Sequence, residues 1–328
     1  MMTDILTFGE ALVEIMRPAL DQPLDRPGPF VGPFPSGAPF IFAAQAARLG
    51  AKVRAIGAVG ADPFGQCLLD QLQADGIDTD GVQIMRDRST GVAFVAYAAD
   101  GSREFVFHIR DAAAGQLTPA LLDPEQFHGL RMLHLMGSTL SISEDALATG
   151  YRALALAKAA GAKFSFDPNL RPQLMPVERA RMAFAPFVEA SDVILPTADE
   201  VQLLTGQNSE EGAIQALFNI KADRLVIIKR GAHGATVYSP NGKIDDPGFV
   251  VEEVDPTGAG DTFAGGFMGY IASTGKPNFE NMKRAVIYGS ALASFCVEKF
   301  STEGLKNLTD AEIKGRVAQF TKMVKVKI

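Results

Sequence analysis

Cysteine is nearly absent from this 328-residue chain: Cys67 and Cys296 stand far apart, with no C-x-x-C partner. So few thiols read as small buried hydrophobes in a reducing compartment. Histidine is equally sparse, four residues scattered at 108, 128, 134 and 233, which leaves a Cys/His zinc site without support. Positive charge is in deficit, with 31 Lys and Arg against 38 Asp and Glu for a net charge of −7. That balance argues against nucleic acid or an anionic membrane as the main partner, though a few arginines and backbone amides can still hold a small anion. No apolar run approaches the roughly 20 residues of a membrane span. The opening MMTDILTFGEALVEIM carries Asp4, Glu10 and Glu14 without a basic stretch, so no secretory leader is expected and a cytoplasmic location is.

Two familiar phosphate-binding loops are missing as well. No G-x-x-x-x-G-K-[ST] occurs, which removes a Walker-type P-loop. The stretch 258–266 fails G-x-G-x-x-G because Phe263 takes the third glycine position, and ILTFGEALVE lacks the fingerprint too. A nicotinamide-dependent Rossmann oxidoreductase thereby loses its best residue-level support.

What is present is a globular chain, 47% hydrophobic, in which short apolar runs alternate with helical patterns. ILTFG, VRAIGAVG, RMLHLMG, KFSFDPN, DVILPT and RLVIIKRG are the runs; helices are predicted around 145–160 and near 199–205. This rhythm predicts βαβ units, an α/β fold with a mostly parallel sheet flanked by helices. Two segments break it. Residues 20–36 are rich in Pro and Gly, and residues 89–110 read as a hairpin turning at Asp100-Gly101. Both are expected to form a small β layer over one end of the main sheet, with ordinary surface loops as the competing reading.

VDPTGAGDTFAGGF, residues 254–267, carries the chemistry. A glycine turn leads into a helix, leaving the amides of Gly258, Ala259 and Gly260 free to meet an anion. Asp261 next to such a loop makes sense as a general base: it would take the proton of an attacking hydroxyl while the amides face the charge developing on a phosphoryl group. A plain helix cap is the other reading of the same residue.

DPTGAGDTFAGGF resembles the C-terminal signature of the ribokinase-like (PfkB) carbohydrate kinases, commonly D-T-x-G-A-G-D-x-F-x-x-G, with Pro256 where Thr is usual. SGAPFIFAAQAARLGAKVRAIGAVGADPFGQCLLDQLQADGID resembles the family's first signature. FSFDPNLRPQL, LPTADEVQLLTG and VIIKRGAHGATVY follow in the family's order. The resemblance implies one ribokinase-like kinase domain over residues 1–328, with lid segments at about 14–36 and 89–110, using ATP and Mg²⁺. It implies Asp261 as catalytic base with Gly258, Ala259 and Gly260 as anion hole. It also implies Asn169 and Arg171 toward the phosphates, Lys229, Gly231 and Gly234 at the nucleotide, and Glu200 holding Mg²⁺ through water. Thr197 stands where the family's N-x-x-E motif has Asn.

On the sugar side the implied residues are Glu14, Gly37, Ala38, His108 and Arg110, with His108 and Arg110 on one face of the hairpin strand. For Glu14 a solvated strand-end charge is the alternative. Ile41 departs from the family's G-G-x-x-x-N, where Asn touches a sugar hydroxyl. GPFPSGAP with the later Gln45 is most similar to tagatose-kinase-like members. A ketose or keto-sugar acid is the expected substrate, tagatose or 2-keto-3-deoxygluconate ahead of fructose or ribose. Fructokinase remains an alternative within the family, and a catalytically silent sugar-binding regulator one outside the enzymes. Lids of the family often pair protomers, which suggests a homodimer.

Overall fold

The computed structural model describes residues 3–100, 102–275 and 278–324. Its larger sheet is built from β1 (Ile5–Phe8), β4 (Val53–Gly60), β5 (Asp78–Met85), β8 (Met132–Met136), β9 (Lys163–Asp167), β10 (Val193–Ile194), β11 (Leu225–Lys229), β12 (Ala235–Ser239) and β13 (Gly242–Asp246), and a smaller sheet from β2 (Leu12–Met16), β3 (Val31–Ser36), β6 (Gly91–Tyr97) and β7 (Arg103–His108). The larger sheet runs β13-β12-β11-β10-β9-β8-β1-β4-β5, and the smaller one β3-β2-β6-β7. From β11 to β5 every pairing of the larger sheet is parallel; only β12 runs the other way, pairing antiparallel with both β11 and β13. This is the expected α/β architecture, a mostly parallel sheet with a smaller β layer beside it. Its central strands, such as β1, β8, β10 and β11, are largely apolar because helices cover both faces. Two of those helices, Glu144–Ala159 and Ala198–Thr205, lie where the helical patterns predict them. Among the described residues no helix is long and apolar enough to cross a membrane.

Parallel strands all end on one edge, and that edge is where an open α/β sheet presents ligand-binding loops. Gly9 and Glu10, Gly137 to Thr139, Asp167 to Asn169, Thr197 and Lys229 all sit there, each at or just past a strand's C-terminal end.

The stretch ILTFGEALVE contributes to two strands. The chain leaves the larger sheet at Phe8 and joins the smaller sheet at Leu12. At Gly9 it passes so close to Thr139 and Pro39 that a Cβ would collide with both, so this break requires glycine. The second segment then pairs parallel with β6 through Glu14↔Ala93, while β6 and β7 form the expected antiparallel hairpin. Gly101, in the predicted turn of that hairpin, lies outside the described residues.

Candidate active site

The helix Ala259–Thr274 is buried on nearly all sides, so its N-terminus is held rigidly at the strand-end edge. Gly258 is its N-cap in left-handed backbone (φ 76°), a conformation that carries a side chain only at a cost. Of the three turn amides, that of Ala259 makes a long bond to Pro256 O at 3.3 Å. The amides of Gly258 and Gly260 are left as the better donors, a partial correction to the three-amide reading.

Asp261 follows in the first turn, 8% exposed. Asn169 Nδ2 donates to its Oδ1 at 3.3 Å. Burial pushes its carboxyl up to about 6, against the downward pull of Lys229 and Arg171. Lys229, at the end of β11, donates Nζ to Asp167 Oδ2 at 2.5 Å. Burial opposes the charge on this lysine, but the carboxylates of Asp167, Glu200 and Asp261 outweigh it and hold the ammonium above the usual lysine range.

Two cavities meet at Asp261. The smaller lies between the two sheets and is lined by Glu10, Glu14, Gly37, Ala38, Ile41 and the rings of Phe105 and Phe107. The larger takes in Asn169, Glu200, Lys229, Gly231 and Gly234, then runs out between Phe249–Val251 and the helix Phe279–Cys296. Arg103, Arg171, Gly258 and Asp261 line both.

A family model described as pfkB family carbohydrate kinase matches residues 2–308. The chain belongs to the PfkB family of carbohydrate kinases. Its similarity to a probable fructokinase-7 of Arabidopsis thaliana is 32% identity over 301 residues, covering 90% of this chain and 87% of that one. A fructokinase-2 of Solanum habrochaites is 34% identical over 266 residues, 80% of each chain. Among solved structures, an E. coli protein assigned as a ribokinase II, in complex with ATP and Mg²⁺, superimposes with a TM-score of 0.87 at 36% identity, covering 97% of this chain and 99% of that one. A Vibrio cholerae fructokinase holding fructose, ADP and calcium gives 0.82 at 26%, with 96% and 99% covered.

In this PfkB-family kinase Glu14 is no solvated charge. It is 5% exposed, its Oε2 accepts from Ser301 Oγ at 2.8 Å, and burial, reinforced by Asp255, pushes it up to about 7. Glu200 closes a capping box at its helix: Thr197 N donates to Oε2 at 2.8 Å and Thr197 Oγ1 accepts from Glu200 N at 3.2 Å. Leu170 N donates to Oε1 at 2.7 Å. Thr197 thus does the capping that an Asn would do there.

His108 and Arg110 are corrected. Both are exposed, and neither lines either cavity. His108 lies opposite Val92 on the outer face of the small sheet, its ring edge-on to Phe94 at 5.8 Å, and Arg110 Nε donates to Ile142 O at 3.2 Å. The two do avoid the face of Phe105, Phe107 and Ile109, but that face is the one turned to the cavity. Period two separates a strand's faces without saying which is inward. The residue this reading missed is Arg103, whose Nη1 donates to Thr257 Oγ1 at 3.1 Å. Its shared parity with the two phenylalanines, which should face inward, is the signal that finds it. Glu10 was missed too: it is 4% exposed and accepts from Ser138 Oγ at 2.8 Å and from Thr139 Oγ1.

Proposed function

We propose that this enzyme transfers the γ-phosphoryl group of ATP to the hydroxymethyl group of a ketose or keto-sugar acid, with Asp261 as general base. The observation that carries the reading is the position of Asp261 at the junction of a small carboxylate-lined cavity and a large cleft. A sugar in the former and a nucleotide in the latter meet at one carboxylate. A base near 6 is ionised at neutral pH and still takes a proton as it leaves the hydroxyl. The sugar oxygen attacks the γ-phosphorus, and ADP departs with the bridging electron pair. The Gly258 and Gly260 amides and Arg171 face the charge on the transferred group. Asn169, Lys229, Gly231 and Gly234 face the nucleotide.

Among the described residues no group of three His, Cys, Asp or Glu gathers to hold a metal, and both Glu200 oxygens already accept amide bonds. That donor set fits Mg²⁺ held by phosphates and by water on Glu200, where the ion would neutralise phosphate charge.

The small sheet, segments 14–36 and 89–110, acts as a lid within one kinase domain. Its outer face carries Phe94 and Val106 with Phe30 beside them, a patch that supports a homodimer through the lid. The reaction belongs in the cytoplasm, where ATP is available.

For the sugar, Glu14, Gly37 and Ala38 face the cavity while Ile41, 5% exposed, offers no hydrogen bond. This favours tagatose or a 3-deoxy keto-acid; the fructokinase relatives favour fructose as the second reading. ADP release measured across ketoses and sugar acids tests both. Sugar binding without ADP release would leave a silent regulator instead.

A further inference from the structure

We propose that Arg103 is a catalytic residue of this transfer, its guanidinium holding oxygens of the phosphoryl group as it moves; the inference rests on the kinase reading above. Arg103 opens β7 and is the one basic side chain of the small sheet, among the described residues, that lines both cavities. Its Nη1 bond to Thr257 Oγ1 ties it to the residue just before Gly258, at the mouth of the turn whose amides are free. Among the described residues that is its only side-chain hydrogen bond, and it has no ion-pair partner. Most of its N–H directions therefore remain open. Arg171, which lines the same two cavities, has no ion-pair partner either and spends Nη1 on Leu170 O.

Two unpaired guanidiniums and two free amides thus converge on a site where Asp261 is almost buried. Positive charge so placed calls for an anion between the walls, one that is not Asp261 itself, since no Asp261 oxygen lies within ion-pair distance of either arginine.

The step balances without further reagents. The sugar hydroxyl gives its proton to Asp261, its oxygen bonds the γ-phosphorus, the bond to the β–γ bridging oxygen breaks, and ADP keeps that electron pair. The equatorial oxygens carry negative charge throughout, and a planar guanidinium fork fits two of them. Phe105, whose ring lies 5.5 Å from the Arg103 guanidinium, helps to orient it.

The test uses the full-length enzyme, with Arg103→Ala and Arg103→Lys. Because Arg103 is exposed, both variants should fold with unchanged Tm. With the best sugar, R103A is expected to lose about 10²–10³-fold in kcat with sugar KM within about threefold. Added guanidinium should restore part of the loss, and R103K should retain little more than R103A. Binding supplies a second readout: R103A should bind ADP as the native enzyme does, yet lose at least about tenfold in affinity for ADP with aluminium fluoride and the sugar. A kcat within threefold of native, or a loss confined to sugar KM, overturns the proposal while the kinase reading stands. Native enzyme that releases no ADP with any sugar overturns the kinase reading and this proposal together.

Discussion

Asn169 reaches Asp261 across the junction of the two cavities, Nδ2 to Oδ1 at 3.3 Å, joining positions 92 residues apart in the chain. Asn169 holds left-handed backbone (φ 35°), unusual for a residue with a side chain, and its own amide donates to Asp167 Oδ1 at 3.2 Å. Backbone in this region costs about 1–3 kcal/mol and persists where the surroundings over-determine it. Here Asp167, itself tied to Lys229, fixes the turn that aims the Asn169 amide at the base.

If Asp261 takes the hydroxyl proton, Asp261→Asn should lower kcat by at least about 10²-fold with nucleotide affinity little changed. Steady-state kinetics with ADP binding by calorimetry decide it. Near-native turnover would return Asp261 to the role of a helix residue.

The pH profile should carry the same signature. Burial raises the Asp261 carboxyl to about 6, so the base is ionised above that pH and kcat should fall as pH drops through it. A profile flat from pH 5 to 8 would separate this carboxyl from the chemistry.

Glu14 predicts a stability effect of definite sign. Its carboxyl rises from 4.5 to about 7 on burial, so the folded state holds a proton that the unfolded chain releases near 4.5. The stabilisation is therefore complete below pH 4.5 and lost as pH rises through 7. The change corresponds to on the order of 3 kcal/mol, so Glu14→Gln should raise Tm relative to the native protein at pH 8 and much less at pH 5. Equal effects at the two pH values would mean the carboxyl is not held protonated. Weaker sugar binding in the same variant would fit its place in the small cavity.

Arg110 provides a negative control. Its side chain is exposed and bonds Ile142 O away from the cavity, so Arg110→Ala should leave the KM values for both sugar and ATP close to native. A sugar KM raised severalfold would mean the residue swings inward.

Ile41 predicts the substrate order. Native enzyme should show higher kcat/KM for tagatose or 2-keto-3-deoxygluconate than for fructose or ribose, and Ile41→Asn should narrow the gap. An unpartnered buried hydroxyl costs about 1–3 kcal/mol, enough for a tenfold preference. Clear superiority of fructose would align this enzyme with the fructokinases it resembles.

The sequence by itself determined the alternation of strands and helices, the glycine turn leading into a helix and the carboxylate beside it. Each of these depends on local properties: apolar periodicity, the conformational range of glycine and the chemistry of adjacent residues. Tertiary structure decided which face of β7 is inward, because the two faces of a strand are equivalent until a second layer covers one of them. It also decided that ILTFGEALVE divides at Gly9, where the close approach is to Thr139, far along the chain. Glu14 shows the same limit: its partner is Ser301, 287 positions away, and burial, a property of the packed molecule, is what raises its pKa.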